Sequence, residues 1–473
     1  MKLRILTSLW AVLLVIASIH PAKAQDKQPV TTSMSLKEAQ EYAVKNNANS
    51  RNSAIDMELA KKKIWETTAI GLPQINAQGN YTHLFTVPVM SFPNTVISDQ
   101  YVPMDYNTGL GTTSSVTLNS GEKINLNNVA GTPIQLGLPN NTTFDITVSQ
   151  LIFSGEYIVG LQATKVFYEM TDQNRQKTEI DLKESVANTY AMALSFEQTR
   201  NILDQTLVNT KKTLSDMQQM YKQGLIENTD VDQIELITLN LANGLSSMNR
   251  QLDATYDLLK FQLGMPFSDK IVLTDNLEGI ANTVNLETLM ATPFNISNNL
   301  DYQILETSER IGNLNLKREK STYLPNLAAV YRHQEKVNQP AFDFNPKDVV
   351  GVTMNIPIFS SGSRNVKVQQ RQLDLKKIIN TKENVANGLQ LQYINAKNEL
   401  TTAYEKYLND QKNIDLTQRI YDKTLIKFNE GRATSREITD NLAQYLTAQS
   451  NMYSSILSLI SAKNKLDKLN NNL

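Results

Sequence analysis

Along this chain the spacing of apolar residues switches between two periods, and the whole pattern occurs twice. From Gly155 to Gln223, and again from Gly362 to Glu430, there is no proline and almost no glycine. In the second stretch Leu389, Tyr393, Ala396, Leu400, Ala403 and Tyr407 step by four and three, and Ile414, Tyr421 and Phe428 continue at sevens. Leu203, Leu207, Leu214, Met217 and Tyr221 do the same in the first. An apolar position every 3.5 residues or so is a coiled-coil seam. At about 1.5 Å per residue each stretch predicts a rod of roughly 100 Å, too long for a helix of a globular domain. Each rod turns at a glycine, Gly224 or Gly431, and returns. The second return carries its own seam of Ile438, Leu442, Tyr445, Met452, Ile456, Leu459 and Leu466. Two hairpins follow from this, over 155–264 and 362–471.

Ahead of each rod the period falls to two. Phe144, Ile146 and Val148 alternate with Asp145, Thr147 and Ser149; Val350, Val352, Met354, Ile356 and Ile358 alternate with Gly351, Thr353, Asn355 and Pro357. One apolar and one polar face means a strand half buried in something. Ile75 to Phe85 and Leu327 to Arg332 are weaker candidates for partner strands. Further upstream, Ser35 and Glu38 make a capping box before Leu36, Ala39, Tyr42 and Ala43. Helical composition runs on to Ala69 until Leu72-Pro73 stops it, because the residue before proline is pushed out of the helical region.

The order of parts is a tandem duplication. Asn46-Asn47 recurs as Asn298-Asn299 and Leu72-Pro73 as Leu324-Pro325, at one common separation. Gly155 and Gly362, Gly224 and Gly431, and Tyr221 and Phe428 match at a shorter one. The first copy therefore carries an insertion, in the Gly-, Thr-, Asn- and Pro-rich segment 86–141, whose composition predicts a loop. The repeats span 25–276 and 277–473, each a helix, two strands and a hairpin.

The N-terminus sets the compartment. Lys2 and Arg4 precede an apolar run from Leu9 to Ile19, and Ala22-Lys23-Ala24 supplies small residues for cleavage between Ala24 and Gln25. That is a secretory signal over 1–24. Its apolar run falls short of the roughly 20 residues of a spanning helix, and no later stretch is apolar enough either. Any membrane role must come from strands. Four per chain is too few, since a closed membrane barrel needs about eight and open edges do not survive in lipid. Several chains would have to pool them, and two or three copies would each suffice.

Composition narrows the chemistry. Lys+Arg 46 against Asp+Glu 47 gives a net charge of −1, which argues against a nucleic-acid partner. There is no cysteine, so there are no disulfides, thiolate metal sites or lipid anchor on an N-terminal Cys. No Ser/His/Asp set, phosphate loop or HExxH motif appears, and no cofactor or enzymatic activity is expected. His83 and His333 have no partner at ligand spacing and read as barrel-surface or loop residues. An ordinary soluble helical bundle would explain the seams, but not hairpins of this length joined to amphipathic strand pairs.

The Leu-Pro before each first strand, Ile152-Phe153-Ser154-Gly155 and Ile358-Phe359-Ser360-Ser361-Gly362 after each second strand, and the Tyr/Phe-x-x-Gly tips resemble the TolC family of outer-membrane efflux and secretion channels. The likeness covers residues 34–473. It implies an α+β membrane protein: coiled-coil hairpins forming a helical tunnel in the periplasm, continuous with a transmembrane β-barrel to which each chain of a homotrimer gives four strands. It implies residence in the outer membrane of a Gram-negative bacterium, and partnership with a periplasmic adaptor and an inner-membrane transporter. By resemblance, Gly224, Leu225, Gly431 and Arg432 present the tips to the adaptor, although the two glycines are also simply what a chain reversal needs. Glu437 and Asp440, three apart on one helix face, align with gate acids at the periplasmic aperture; acids at a helix start are favoured by the dipole in any case. Asp230 matches the family's bridged acid, but Ala433 stands where better-known members carry the bridging arginine. The bridge is either lost or remade by Arg432 or Arg436. The competing assignment is a periplasmic coiled-coil adaptor, which usually has one hairpin and globular β domains.

Overall fold

The structure, a computed structural model, describes residues 30–91, 115–117, 123–125, 133–135, 137–291, 293–339, 343 and 345–473. The signal segment and the Ala24–Gln25 cleavage site lie outside them. In chain order the elements are β1 (Thr31–Met34), α1 (Leu36–Asn46), α2 (Ala48–Ile70), β2 (Gln74–His83), β3 (Val89–Ser91), β4 (Ser115–Thr117), β5 (Lys123–Asn125), β6 (Pro133–Gln135), β7 (Asn140–Phe153), α3 (Gly155–Lys222) and α4 (Asn228–Leu263). They continue with β8 (Lys270–Leu273), α5 (Leu277–Asn282), α6 (Leu286–Ala291), α7 (Leu300–Ser321), β9 (Asn326–Lys336), β10 (Asp348–Asn355), α8 (Ser363–Asn429) and α9 (Ser435–Leu469). The chain divides into two units, one of Glu58–Met170 and Leu305–Thr381, the other of Met1–Met57, Thr171–Ile304 and Lys382–Leu473.

The first of these units holds one antiparallel sheet in the order β10-β9-β7-β2. Its register puts Ile75, Val148, Tyr331 and Val350 side by side across all four strands, with Ala77, Ile146, His333 and Asp348 in the next row of that face. The opposite face carries Asn76, Thr147, Arg332 and Val349 in one row and Gln78, Asp145 and Gln334 in another. Gln334 Nε2 donates to Asp145 Oδ1 at 2.7 Å across two strands of this face. No described helix covers the apolar face. Ile75, Phe144, Ile146, Val350, Val352 and Met354 are all exposed. β10 stops at Asn355, short of the predicted Ile358, because Pro357 has no N–H to give the ladder; Ile356 and Ile358 keep the alternation and stay exposed. Among the described residues, both outer strands, β2 and β10, have one free edge. His83 ends β2 and His333 lies within β9, with Nδ1 at 2.7 Å from Asn140 Oδ1 and 2.8 Å from Asp348 Oδ1. The inserted segment is not loop throughout: among its described residues β3 pairs with β6 and β4 with β5.

The Leu-Pro and Gly155 motifs shape the junction of sheet and helix. The last turn of α2 tightens, with Leu72 N–H donating to Ala69 O, and Leu324 N–H does the same to Ser321 O at the end of α7, both at 3.0 Å. A Cβ on Gly155 would lie 2.9 Å from Ser321 Cβ and from Leu324 Cδ1, so only glycine lets α3 start there.

In the other unit the predicted seam is the core. Leu389, Tyr393, Ala396, Leu400, Ala403 and Tyr407 are all buried, as are Ile438, Leu442, Met452, Ile456, Leu459 and Leu466 on α9. The first helix breaks where continuous helical composition gave no warning. Asn47 is extended (φ −60, ψ 139) and separates α1 from α2. Its Nδ2 donates to Gln262 O at 2.8 Å and its Oδ1 accepts Asn49 N–H at 2.8 Å. Asn299 repeats both bonds in the second copy, to Leu469 O at 3.1 Å and from Asp301 N–H at 3.0 Å. The repeated Asn-Asn pair thus closes the carbonyl end of each return helix while starting the next helix. β1 pairs in parallel with β8, anchored by the Tyr190 hydroxyl, which donates to Met34 O at 2.9 Å. Burial pushes the pKa of that phenol well up.

Candidate functional site at the hairpin tips

Both tips are built by the same local chemistry. Gly224 and Gly431 take φ of +74° and +71°, a left-handed conformation that a side chain resists. Gly224 N–H donates to Tyr221 O at 2.9 Å and Leu225 N–H to Met220 O at 3.0 Å. Gly431 N–H reaches Phe428 O at 2.8 Å and Arg432 N–H reaches Lys427 O at 2.7 Å. This double bond pattern is the Schellman ending, which satisfies carbonyls that α3 and α8 would otherwise leave open. Nothing stands within 4 Å of where a Cβ would be on either glycine, and Leu225 is 65% exposed. The tips therefore present bare backbone and one leucine.

Each return helix then starts on a cap. On α9, Thr434 N–H and Oγ1 donate to Glu437 Oε2 at 2.7 and 3.1 Å, and Glu437 N–H donates back to Thr434 Oγ1 at 3.2 Å. The Thr434 backbone bond, and after it the hydroxyl bond, hold the Glu437 pKa below the usual glutamate range. Glu437 is thus a capping residue of its own helix. Asp230 holds the equivalent place on α4, where its Oδ2 accepts Glu227 N–H at 3.4 Å. Its Oδ1 accepts from Ser435 Oγ of the other hairpin. Arg436 lies 3.8 Å from Asp440 one turn along, and Arg432 pairs with Glu430 beside it. Within one chain the partner of Asp230 is a serine, and each arginine sits on a neighbouring acid.

Ser435 is the residue that sequence reading missed. It is 4% exposed, in the middle of Thr434-Ser435-Arg436-Glu437, whose capping pattern accounts for Thr434 and Glu437 and gives no sign of a contact to the other repeat. Behind it, Met217, Val231, Ile234 and Ile438 form a small core joining both hairpins, with Leu214, Ile226, Ile237, Tyr421, Leu425 and Phe428 around it.

Known structures share this architecture. CusC, in crystal structures concerned with transmembrane channel formation, is 14% identical over 94% of this chain and 95% of its own, with a TM-score of 0.66. The outer membrane protein VceC of Vibrio cholerae is 12% identical over 92% and 96%, with a TM-score of 0.67. The CmeC outer membrane channel of Campylobacter jejuni is 13% identical over 93% and 86%, with a TM-score of 0.68. At such identities the likeness establishes the fold alone, long helical hairpins together with a β-sheet. Residues 111–263 match the family of outer membrane efflux proteins, in keeping with the TolC-type resemblance of the motifs. No curated protein matches the sequence.

Proposed function

We propose that the protein is an outer-membrane export duct of a tripartite efflux pump or type I secretion system. The observation that carries this is the sheet: four strands with one exposed, mainly apolar face, one mainly polar face and, among the described residues, two free edges. No described helix is long and apolar enough to cross a membrane, so the sheet is the membrane element. Closing it requires further chains. Three copies give a twelve-stranded barrel, with the apolar face toward lipid and the polar face toward the lumen. The helices reach into the periplasm, where Gly224, Leu225, Gly431 and Arg432 meet an adaptor protein fed by an inner-membrane transporter. Glu437 and Asp440 give the aperture its acidic lining, and cations are the ions it favours. A periplasmic adaptor has no use for such a sheet.

Native mass measurement in detergent and planar-bilayer recording test the duct. A trimer that conducts, with cation selectivity reduced in Glu437→Ala/Asp440→Ala, is expected. A membrane-inserted monomer, or a trimer that never conducts, would rule the duct out.

A further inference from the structure

We propose that the end of the apolar sheet face remote from the helices is a docking surface for sugar-bearing lipid headgroups. The proposal rests on the reading of the sheet as the membrane element of a duct, and it names what touches that element at its outer rim.

The rim is built twice from the same parts. On β2, Tyr81 and His83 stand on the face that carries Ile75 and Ala77. The Tyr81 hydroxyl donates to Asn140 Oδ1 at 3.0 Å, and His83 Nδ1 meets the same oxygen at 2.7 Å. On β9, Tyr331 and His333 meet Asp348 Oδ1 in the same way, at 2.7 and 2.8 Å. Each histidine lies directly opposite its acceptor in the ladder. The two clamps are not aligned copies: counted from the Leu-Pro motifs, the first stands two residues further out than the second.

At these clamps the face stops being apolar. On β9 and β10 the row of Tyr331 and Val350 is followed by His333 with Asp348, and then by Glu335. On β2 and β7 the change comes two rows later, at Tyr81 and Thr142. A boundary that crosses the rows diagonally is level when the strands tilt, as barrel strands do. The clamps therefore mark one plane, where hydrocarbon gives way to headgroups.

The chemistry of the rim selects the headgroup. With Nδ1–H spent inside each clamp, a neutral imidazole presents a lone pair at Nε2. Nε2 of His333 is 3.6 Å from Glu335 Oε1, too long for a hydrogen bond. Asp348 Oδ2 is a further acceptor. The nearby cations are held, Lys336 by Asp343 and Lys347 by Glu335. Such a set matches hydroxyl donors and not phosphate, which brings acceptors. Open aromatic surface lies beside it: Phe85 is 96% exposed, its ring edge-on to His83 at 5.0 Å, and Tyr81 is exposed as well. Acceptors next to bare aromatic rings suit a pyranose, whose hydroxyls donate while its C–H face packs on the ring. An ammonium headgroup also donates, and it is the competitor in the test.

Full-length trimers in phosphatidylcholine nanodiscs, with either a glucosyl diacylglycerol or phosphatidylethanolamine added, are released and their lipid adducts counted by native mass spectrometry. The glucosyl lipid should be retained at about six per trimer, two clamps in each of three chains, and roughly tenfold over phosphatidylethanolamine. His83→Ala/His333→Ala should abolish that preference. Tyr81→Phe/Tyr331→Phe, which keeps the rings, should weaken it less. Conduction in planar bilayers should be the same for all, because the clamps lie on the face turned from the lumen. Equal retention of phosphatidylethanolamine, or a double histidine variant that holds the glucosyl lipid as the parent does, would overturn the proposal and leave the duct standing. A protein that never conducts, yet loses its glucosyl lipid in the histidine variant, would overturn the duct reading and support the docking surface.

Discussion

The two hairpin tips share a backbone and differ in what lies beneath it. Under the first, Met217 and Ile234 face each other, almost fully buried. At the matching places in the second stand Thr424 and Asn441, with Asn441 Nδ2 donating to Thr424 Oγ1 at 2.9 Å. One turn away from the tip, Leu214 and Thr238 of the first copy correspond to Tyr421 and Tyr445, whose rings stack 5.9 Å apart in parallel planes. Burial raises the pKa of both phenols, which stay protonated and act as packing groups. The first tip is held by burial, which is non-directional and tolerates sliding only poorly in a packed core. The second is held by contacts that depend on geometry and can be exchanged for water at small net loss. Duplication supplied two equal arms, and substitution beneath the tips made one the firmer support.

The largest break in that contrast is expected from Ile234→Ala or Met217→Ala. Each removes a buried side chain from the core shared by both hairpins and should lower stability by about 3 kcal/mol, measured by denaturant unfolding or as lost amide protection near the tip. Next come Gly224→Ala and Gly431→Ala, which force a Cβ into the left-handed region and should cost about 1 kcal/mol each. The two losses should match, because the backbones do; unequal losses would mean that the tips differ above their cores as well. Asn441→Ala should also cost about 1 kcal/mol by removing its bond to Thr424, whose hydroxyl keeps its bond to Ile420 O. Thr424→Met/Asn441→Ile, by contrast, should recover that loss and make the second arm exchange amides as slowly as the first. The smallest effect is the pH dependence of the α9 start. The folded pKa of Glu437 is lowered, so its capping contribution is fully present above the ordinary glutamate pKa of about 4.3 and is lost as pH falls through the lower folded value. Amide exchange at the first turn of α9 should quicken in acid over that window, and Glu437→Gln should flatten the change.

Much of this was readable beforehand, because period and glycine placement are strong signals. Leu389 to Tyr407 on α8 and all but Tyr445 of the α9 seam are buried, whereas Ile414, Tyr421 and Phe428 are only half-buried and Tyr221, at the end of the first seam, is exposed; the tips turn at the two predicted glycines, and the strands at Phe144 and Val350 alternate as their sequence does. What escaped were contacts between distant segments. Asn47 interrupts a helix because its amide finds Gln262 O, a partner hundreds of residues away, whereas helix composition reports only near neighbours. Ser435 escaped for the same reason. Arg432 and Arg436 looked free to reach Asp230, yet an acid two or four residues along the chain is always close at hand, and each arginine took it.

The free edges of β2 and β10 bear on how such a molecule is made. A lone chain would offer two rows of unpaired peptide groups and an uncovered apolar surface to an aqueous compartment, which are the ingredients of misassembly. In the duct proposed above, closure of this sheet requires further copies, so subunit joining and bilayer entry become a single event, a lone subunit needs an escort until that moment, and one chain defective in either edge strand spoils the assembly it enters.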